Sequence, residues 1–384
     1  LIISFILNET NIPKSFLYLR FLIFYYICFY LFNEKKFDTN KIFFFYAIFV
    51  FLICTDVVIQ NTFGYNIVGL KIINFGLINH PVATSFFQDE KIAGTFIQGF
   101  SFFLVFYIFN KFNKKSAINF IIKSFLLSLI SVSILISFQR MPMVLWVVSI
   151  TVYGIIYYKT KLLPILLSFV FLTAFIFNFS SQVYVDGIKY NELTRSYSSF
   201  FTNVTEIGSK TFKNYSALKN KKKYDEIKTD KKKALLFENG SGHASLFASA
   251  FFIWEDNKIL GTGYKNFYNK CVERKLHRCT NHPHNSYLDV LVSTGLVGFL
   301  LLVTYLITLL LKIIYSLKIN LINKNVKKNE KLLVIAISFF MYFFPLKSAG
   351  SFFTTSNSTY MMIMLVILIS QLNHVSLKKI NSIF

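Results

Sequence analysis

The sequence predicts an all-α, polytopic integral membrane protein, about nine transmembrane helices with one long loop on the outer side. Three observations predict it. Of 384 residues, 54% are hydrophobic, with a mean hydropathy of +0.51, more apolar than an ordinary soluble domain. The apolar residues cluster in runs of roughly 16–22 with few charges, the length of helix that crosses about 30 Å of hydrocarbon. The lysines fall between these runs and recur on alternate connections, as the positive-inside rule requires.

The spans are read at 16–32, 41–59, 96–110, 118–137, 141–158, 162–178, 287–311, 332–346 and 357–372. Lys35, Lys36 and Lys41 mark the first connection, Lys111, Lys114 and Lys115 the third, and Lys159 and Lys161 the fifth. A denser run from Lys312 to Lys331 marks the seventh, and Lys378 and Lys379 follow the last span. These connections are therefore cytosolic, which leaves 60–95, the turn at Gln139–Arg140, 179–286 and 347–356 outside. The chain divides accordingly into an N-terminal transmembrane bundle (1–178, six spans), a large outer loop (179–286) and C-terminal transmembrane helices (287–384, three spans). It opens on Leu, and the apolar scrap Leu1–Leu7 reads as the remnant of a truncated N-terminus that held further spans.

The outer loop is too long for a passive connector. Within it, Lys210–Lys233 is rich in Lys, Asn and Asp and reads as mobile. Gly242–Trp254 carries apolar residues at helical spacing and is expected to lie on the membrane surface. Cys28 and Cys54 sit in apolar runs and read as inert. Cys271 and Cys279 both lie in the loop, where an oxidising compartment would pair them as a structural disulfide closing a small ring.

The formal charge is +23. Lysines placed between apolar runs fit topology signals and no nucleic-acid face, so no nucleic acid is expected as a partner. The spans carry few charges, Asp56 and Lys123 being the exceptions read, whereas a transporter or flippase would want paired polar groups deep in several spans. Among the 41 basic residues only five are Arg, so each Arg was chosen against a Lys default.

The stretch richest in chemistry is Asn281-His282-Pro283-His284-Asn285-Ser286-Tyr287-Leu288, which ends the outer loop and runs into a span. Two imidazoles and two carboxamides at a water–lipid boundary provide a general base and its orienting groups. The same residues also serve as interfacial helix caps, and composition alone leaves both readings open. His282-x-His284 lacks a third metal ligand at a convincing distance, so no metal and no cofactor is expected. Gly261-x-Gly263 is too short for a dinucleotide fingerprint.

His284-Asn285, then nine residues, then Gly295-Leu296-Val297-Gly298 resembles the signature of O-antigen ligases and the related O-antigen polymerases (the Wzy_C, or O-antigen ligase-like, superfamily). That signature is His, then Asn, Ser or Gln, nine residues, Gly, two residues, and Gly, Thr or Tyr. Upstream, Trp254-Glu255-Asp256-Asn257 followed by Gly261-Thr262-Gly263-Tyr264-Lys265-Asn266-Phe267 is similar to the family's W…G-x-G…F segment. The resemblance is strongest over 240–298 and weaker over 88–160.

The resemblance implies a GT-C-like fold in the bacterial inner membrane, with a metal-independent active site facing the periplasm. It implies a glycan donor linked to undecaprenyl pyrophosphate, and as acceptor a growing glycan (polymerase) or the lipid A core (ligase). Membrane lipid and a chain-length regulator complete the partners it suggests. The catalytic residues implied are His284, for the acceptor hydroxyl, and Arg140, in the outer turn Ser137-Phe138-Gln139-Arg140, for phosphate. Asn285, His282, His243 and Lys91 are candidate substrate-binding groups, and Gly295 and Gly298 are expected to let their helix pack closely against a neighbour. Relatives often carry a second Arg where this chain has Ser241-Gly242-His243, so His243, with Arg195 and Lys347 as fallbacks, stands in for that cation. A snorkelling interfacial Arg140 and an ordinary interfacial Lys91 are the competing readings. A polysaccharide transporter or flippase, or a non-catalytic assembly protein of the same fold, is the alternative for the whole chain.

Overall fold

The computed structural model describes residues 17–34, 38–75, 80–88, 90–112, 116–156, 158–179, 182–185, 188–220, 242–276, 279–322, 326–348 and 350–380. The expectations for Leu1–Leu7, for Lys35 and Lys36, for Lys114 and Lys115 and for the 221–233 part of the Lys-rich segment lie outside the described residues.

The elements are α1 (Arg20–Asn33), α2 (Thr39–Phe63), β1 (Ile73–Phe75), β2 (His80–Val82), α3 (Ala93–Lys111), α4 (Ala117–Ile136), α5 (Arg140–Ile156) and α6 (Tyr158–Phe179). There follow β3 (Gln182–Val185), β4 (Ile188–Asn191), α7 (Glu192–Lys219), α8 (Gly242–Trp254), α9 (Phe267–Glu273), α10 (Ser286–Ile322), α11 (Val326–Tyr342) and α12 (Thr355–Ile380). β1 pairs antiparallel with β2, and β3 with β4. Among the described residues the fold is all-α apart from these two small hairpins, and each of the nine predicted spans falls on a helix. Among the described residues, five helices are long and apolar enough to cross a membrane: Thr39–Phe63, Ala93–Lys111, Ala117–Ile136, Ser286–Ile319 and Thr355–Leu372. Arg20–Asn33, Arg140–Ile156 and Leu163–Leu172 are shorter apolar helices.

Two compact units emerge, and neither follows chain order. The loop unit holds residues up to Tyr30, Ser198–Tyr315 and Phe343–Val366. The bundle unit holds Leu31–Tyr197, Ser316–Tyr342 and Ile367 onward.

In the bundle unit, local signals set the helix ends. The Asp38 carboxylate caps α2 through Asn40 N–H, Ser116 caps α4 through Asn119 N–H, and α2 stops at Gly64, whose φ is +81°. Rings of Phe43, Phe103 and Phe106 pack edge-on between α2 and α3. Trp146 of α5 donates to Ser131 Oγ of α4 at 2.8 Å. Asp56, fully buried in α2, accepts from Ser85 Oγ (2.5 Å), Ile67 N–H (2.9 Å) and Asn66 Nδ2 (3.2 Å). One turn on, Gln60 accepts from Ser85 N–H and donates to the carbonyls of Leu70 and Lys71. The intramembrane carboxylate is thus hydrogen-bonded on several sides and fastens the connection 64–88 over the end of α2.

In the loop unit, Ala217 and Leu218 of α7 enter one core with Ala248, Ala250 and Ile253 of α8, Phe267 and Cys271 of α9, Leu276 and Val292. Cys271 is disulfide-bonded to Cys279. Two expectations are corrected here. Residues 210–219, expected to be mobile, complete α7, because Tyr215, Ala217 and Leu218 give the Lys-rich stretch an apolar face that docks. α8, expected on the membrane surface, is buried on most of its circumference, because Ala244, Leu246, Ala248, Ala250 and Ile253 leave it too little polar surface to lie half-wet.

α10 is broken at Gly295, whose φ of +65° and ψ of −165° are not helical. The ladder groups freed there are met by the backbone of 258–263. Leu296 and Val297 N–H donate to the carbonyls of Lys258 and Ile259, and Val292 and Ser293 carbonyls accept from Thr262 and Gly263 N–H. A Cβ on Gly295 would stand 2.2 Å from Ile259 O, and one on Gly261 would stand 2.5 Å from Gly295 N. The two glycines of the motif segments therefore interlock backbone to backbone. Gly298 instead leaves room for its own helix: a Cβ there would meet Thr294 Oγ1 at 2.0 Å.

Candidate active site

The approach to His284 is built from the disulfide forward. Cys279 is held against α9, and the next residues form a tight hydrogen-bonded turn. Thr280 Oγ1 donates to His282 O at 2.7 Å, and His284 N–H donates to His282 Nδ1 at 3.1 Å. Accepting at Nδ1 fixes the neutral tautomer of His282 with its proton on Nε2. Burial, and then the neighbouring His284, pull the His282 pKa down to about 4, so this ring stays uncharged near neutrality. His284 adopts φ +55°, a left-handed conformation uncommon outside Gly. Its ring centroid lies 4.3 Å from that of His282 and 5.7 Å from that of His243, which α8 contributes. Three imidazoles thus gather with His284 in the middle. Among the described residues, no group of three His, Cys, Asp or Glu side chains is arranged to hold a metal ion.

Asn285 is the N-cap of α10. Its Oδ1 accepts from Tyr287 and Leu288 N–H at 3.0 and 3.2 Å, and its Nδ2 donates to Pro345 O at 2.6 Å. Tyr287 Oη donates to Phe343 O at 2.6 Å. The Asp289 carboxylate accepts from Ser351 Oγ and Phe352 N–H at 2.7 and 2.8 Å. Alternate residues at the start of α10 thereby grip the connection 343–354. Sequence reasoning missed Asp289, although a carboxylate inside a span and next to the motif was the available signal. Lys347 lies in the gripped connection, is 4% exposed, and has its pKa drawn down to about 8 by burial.

In the bundle unit, the turn before Arg140 is equally specific. Phe138 has φ +53°. Gln139 Oε1 accepts from Thr95 N–H at 2.5 Å and from Thr95 Oγ1 at 3.1 Å. A Cβ on Gly94 would reach Ser137 Oγ at 2.2 Å, so this glycine is what lets the start of α3 seat against the turn. The seating brings Lys91 within electrostatic reach of Arg140: burial, and then the guanidinium, lower the Lys91 pKa. Arg140 also donates to Ser196 O at 3.3 Å, one residue beyond Arg195. The Tyr197 hydroxyl beside it has its pKa raised by burial, an effect Arg140 partly offsets. Gln139, which orients this turn, was not singled out from sequence.

The candidate residues therefore assemble as two groups, His243, His282, His284 and Asn285 in the loop unit, and Lys91 and Arg140 in the bundle unit. No curated protein and no solved structure matches the chain. The model of the O-antigen ligase family (Wzy_C) matches residues 125–303, a stretch that includes Arg140, all three clustered histidines and both glycines of the signature. Over those residues, somewhat under half of the chain, the sequence is similar to the O-antigen ligase family.

Proposed function

We propose that the protein transfers glycan from undecaprenyl pyrophosphate to an acceptor sugar at the periplasmic face of the inner membrane, as a polymerase or ligase of surface polysaccharide. The observation that carries this reading is the setting of His284. It occupies a strained backbone position, directly before a helix cap, with a neutral imidazole beside it and the family signature around it. An imidazole so held is suited to general-base work.

In this reading the acceptor hydroxyl gives its proton to His284 as its oxygen attacks the anomeric carbon of the donor. The bond from that carbon to the pyrophosphate oxygen breaks, and the electron pair leaves with polyprenyl pyrophosphate. Arg140 is assigned to the charge that builds on the leaving group, because its planar fork donates in pairs to phosphate oxygens. Lys91 serves as the second cation. Two like charges sensing one another across a partly buried turn repel, and a bound diphosphate relieves that repulsion. Asn285 has its carboxamide engaged in the cap and with Pro345, so it acts as a positioning residue for His284 and leaves sugar contact to others. The disulfide supports an oxidising, non-cytosolic location for the loop unit.

The deciding experiment is His284→Ala, read by the ladder of long surface glycan and by the amount of protein in the membrane. Loss of long glycan at unchanged protein level is expected. A normal ladder would return the chain to the non-catalytic assembly class.

A further inference from the structure

A second cationic place stands in the loop unit, with no histidine among its lining residues. The start of α1 and the motif segment around Tyr264 enclose a cavity of about 140 Å³ lined by Leu17, Tyr18, Arg20, Phe21, Tyr264 and Lys265. Arg20 donates to Thr355 Oγ1 at 2.8 Å and lies over the Phe21 ring, and Lys265 lies over the Tyr264 ring. Among the described residues neither cation forms a salt bridge. Lys265 is held at φ +53° by the same turn that interlocks with α10, so its backbone position is built and is no accident of a floppy loop. The aromatic wall is equally fixed. Tyr18, Tyr264 and Phe353 pack with centroids 5.3–5.7 Å apart, and Tyr18 Oη shares a hydrogen bond with Ser358 Oγ.

Arg20 and Lys265 face one small cavity, and the buried Asp289 carboxylate is within electrostatic reach of Lys265. Two cations to one carboxylate leave a net positive charge that attracts an anion. Tyrosine rings at the same place offer flat apolar faces with polar edges, the surface that packs against a sugar ring. We infer that this cavity binds an acidic sugar residue of the glycan, with its carboxylate or phosphate between Arg20 and Lys265 and its ring against Tyr18 and Tyr264. The site would set a preference for acidic repeat units. This rests on the glycan-transfer reading for the presence of a glycan, but not on His284 being the base.

The test uses the full chain in nanodiscs of neutral lipid and measures binding, not turnover. The probes are a hexuronic-acid disaccharide, its carboxyl-reduced neutral counterpart, and inorganic phosphate. The acidic disaccharide is expected to bind at least about 10-fold tighter than the neutral one. Arg20→Gln and Lys265→Gln should each weaken it about 10-fold, the value of one charge-assisted bond, while Arg20→Lys recovers most of the loss and so separates charge from folding. Equal affinity for the two disaccharides, or no effect of either Gln variant, overturns the assignment. Phosphate competing as strongly as the acidic sugar reduces the cavity to a bare anion site and also overturns it. So does loss of sugar binding in nanodiscs of anionic phospholipid, which would make the occupant a lipid headgroup. His284→Ala is expected to keep the binding while losing transfer. A normal glycan ladder in that variant would sink the catalytic assignment and leave the cavity standing.

Discussion

Helices α5 and α10 begin with the same backbone device but spend it differently. Before α5, Phe138 takes the left-handed conformation, Gln139 fastens the turn to Thr95, and the reactive candidate, Arg140, is the first helical residue. Before α10, the left-handed residue is His284 itself, and Asn285 both caps the helix and reaches Pro345. A long guanidinium tolerates loose support because it finds its phosphate by reach. A short imidazole that must meet one hydroxyl needs its backbone fixed, and more hydrogen bonds are invested around it. The His284 region should therefore be the less forgiving of the two.

That difference is open to measurement. The largest contrast comes from glycine at the two left-handed positions, where glycine relieves strain in both. His284→Gly should lower transfer by about 10²-fold or more, the usual contribution of a general base, whereas Phe138→Gly should keep most activity. Comparable losses in a transfer assay would mean that the strained turns, and not the imidazole, carry the effect.

Next is Arg140→Lys, which exchanges a fork for a point charge. A fall of about 10-fold in turnover is expected if the guanidinium holds a diphosphate bidentately. Full activity returns Arg140 to an interfacial anchor.

The supporting carboxamides come third. Asn285→Ala removes the cap and the bond to Pro345 together and should cost about 1–2 kcal/mol of loop-unit stability, seen as a lower melting temperature. Gln139→Ala should cost less, and a larger loss at Gln139 would reverse the comparison.

The smallest effect is in pH. The folded His282 has its pKa lowered to about 4 from an ordinary value near 6.5. Between these values the unfolded chain binds the extra proton and the folded chain does not. Stability is thus complete above about 6.5 and declines as pH falls towards about 4. Melting temperatures across that window should slope in the parent protein and flatten in His282→Gln; parallel slopes would remove His282 as the cause.

Much of this molecule is legible in its residues. The runs of apolar side chains had to become helices, because backbone groups in hydrocarbon can be satisfied only within the chain. His284, Asn285, Gly295 and Gly298 could be picked out by their resemblance to the family signature. Asp289 and Gln139 could not, because their importance lies in which distant backbone they hold, Phe352 in one case and Thr95 in the other. Gly295 was legible as a glycine and illegible as a helix break, since its partner segment, 258–263, lies some thirty residues upstream. Lys210–Lys219 misled for a related reason. Its charge suggested a solvated tail, and only packing against α8 and α9 reveals that Ala217 and Leu218 are core.

By itself the sequence determined the spans, their order and the chemical kind of each motif residue, because hydropathy and charge act locally along the chain. Tertiary structure alone decided which groups share a neighbourhood: three imidazoles in one place, two cations across a turn in another, and two glycines locked through the backbone. Those outcomes depend on long-range closure, where a contact between residues far apart in the chain is chosen by packing and hydrogen-bond satisfaction, and no short window of sequence contains both partners.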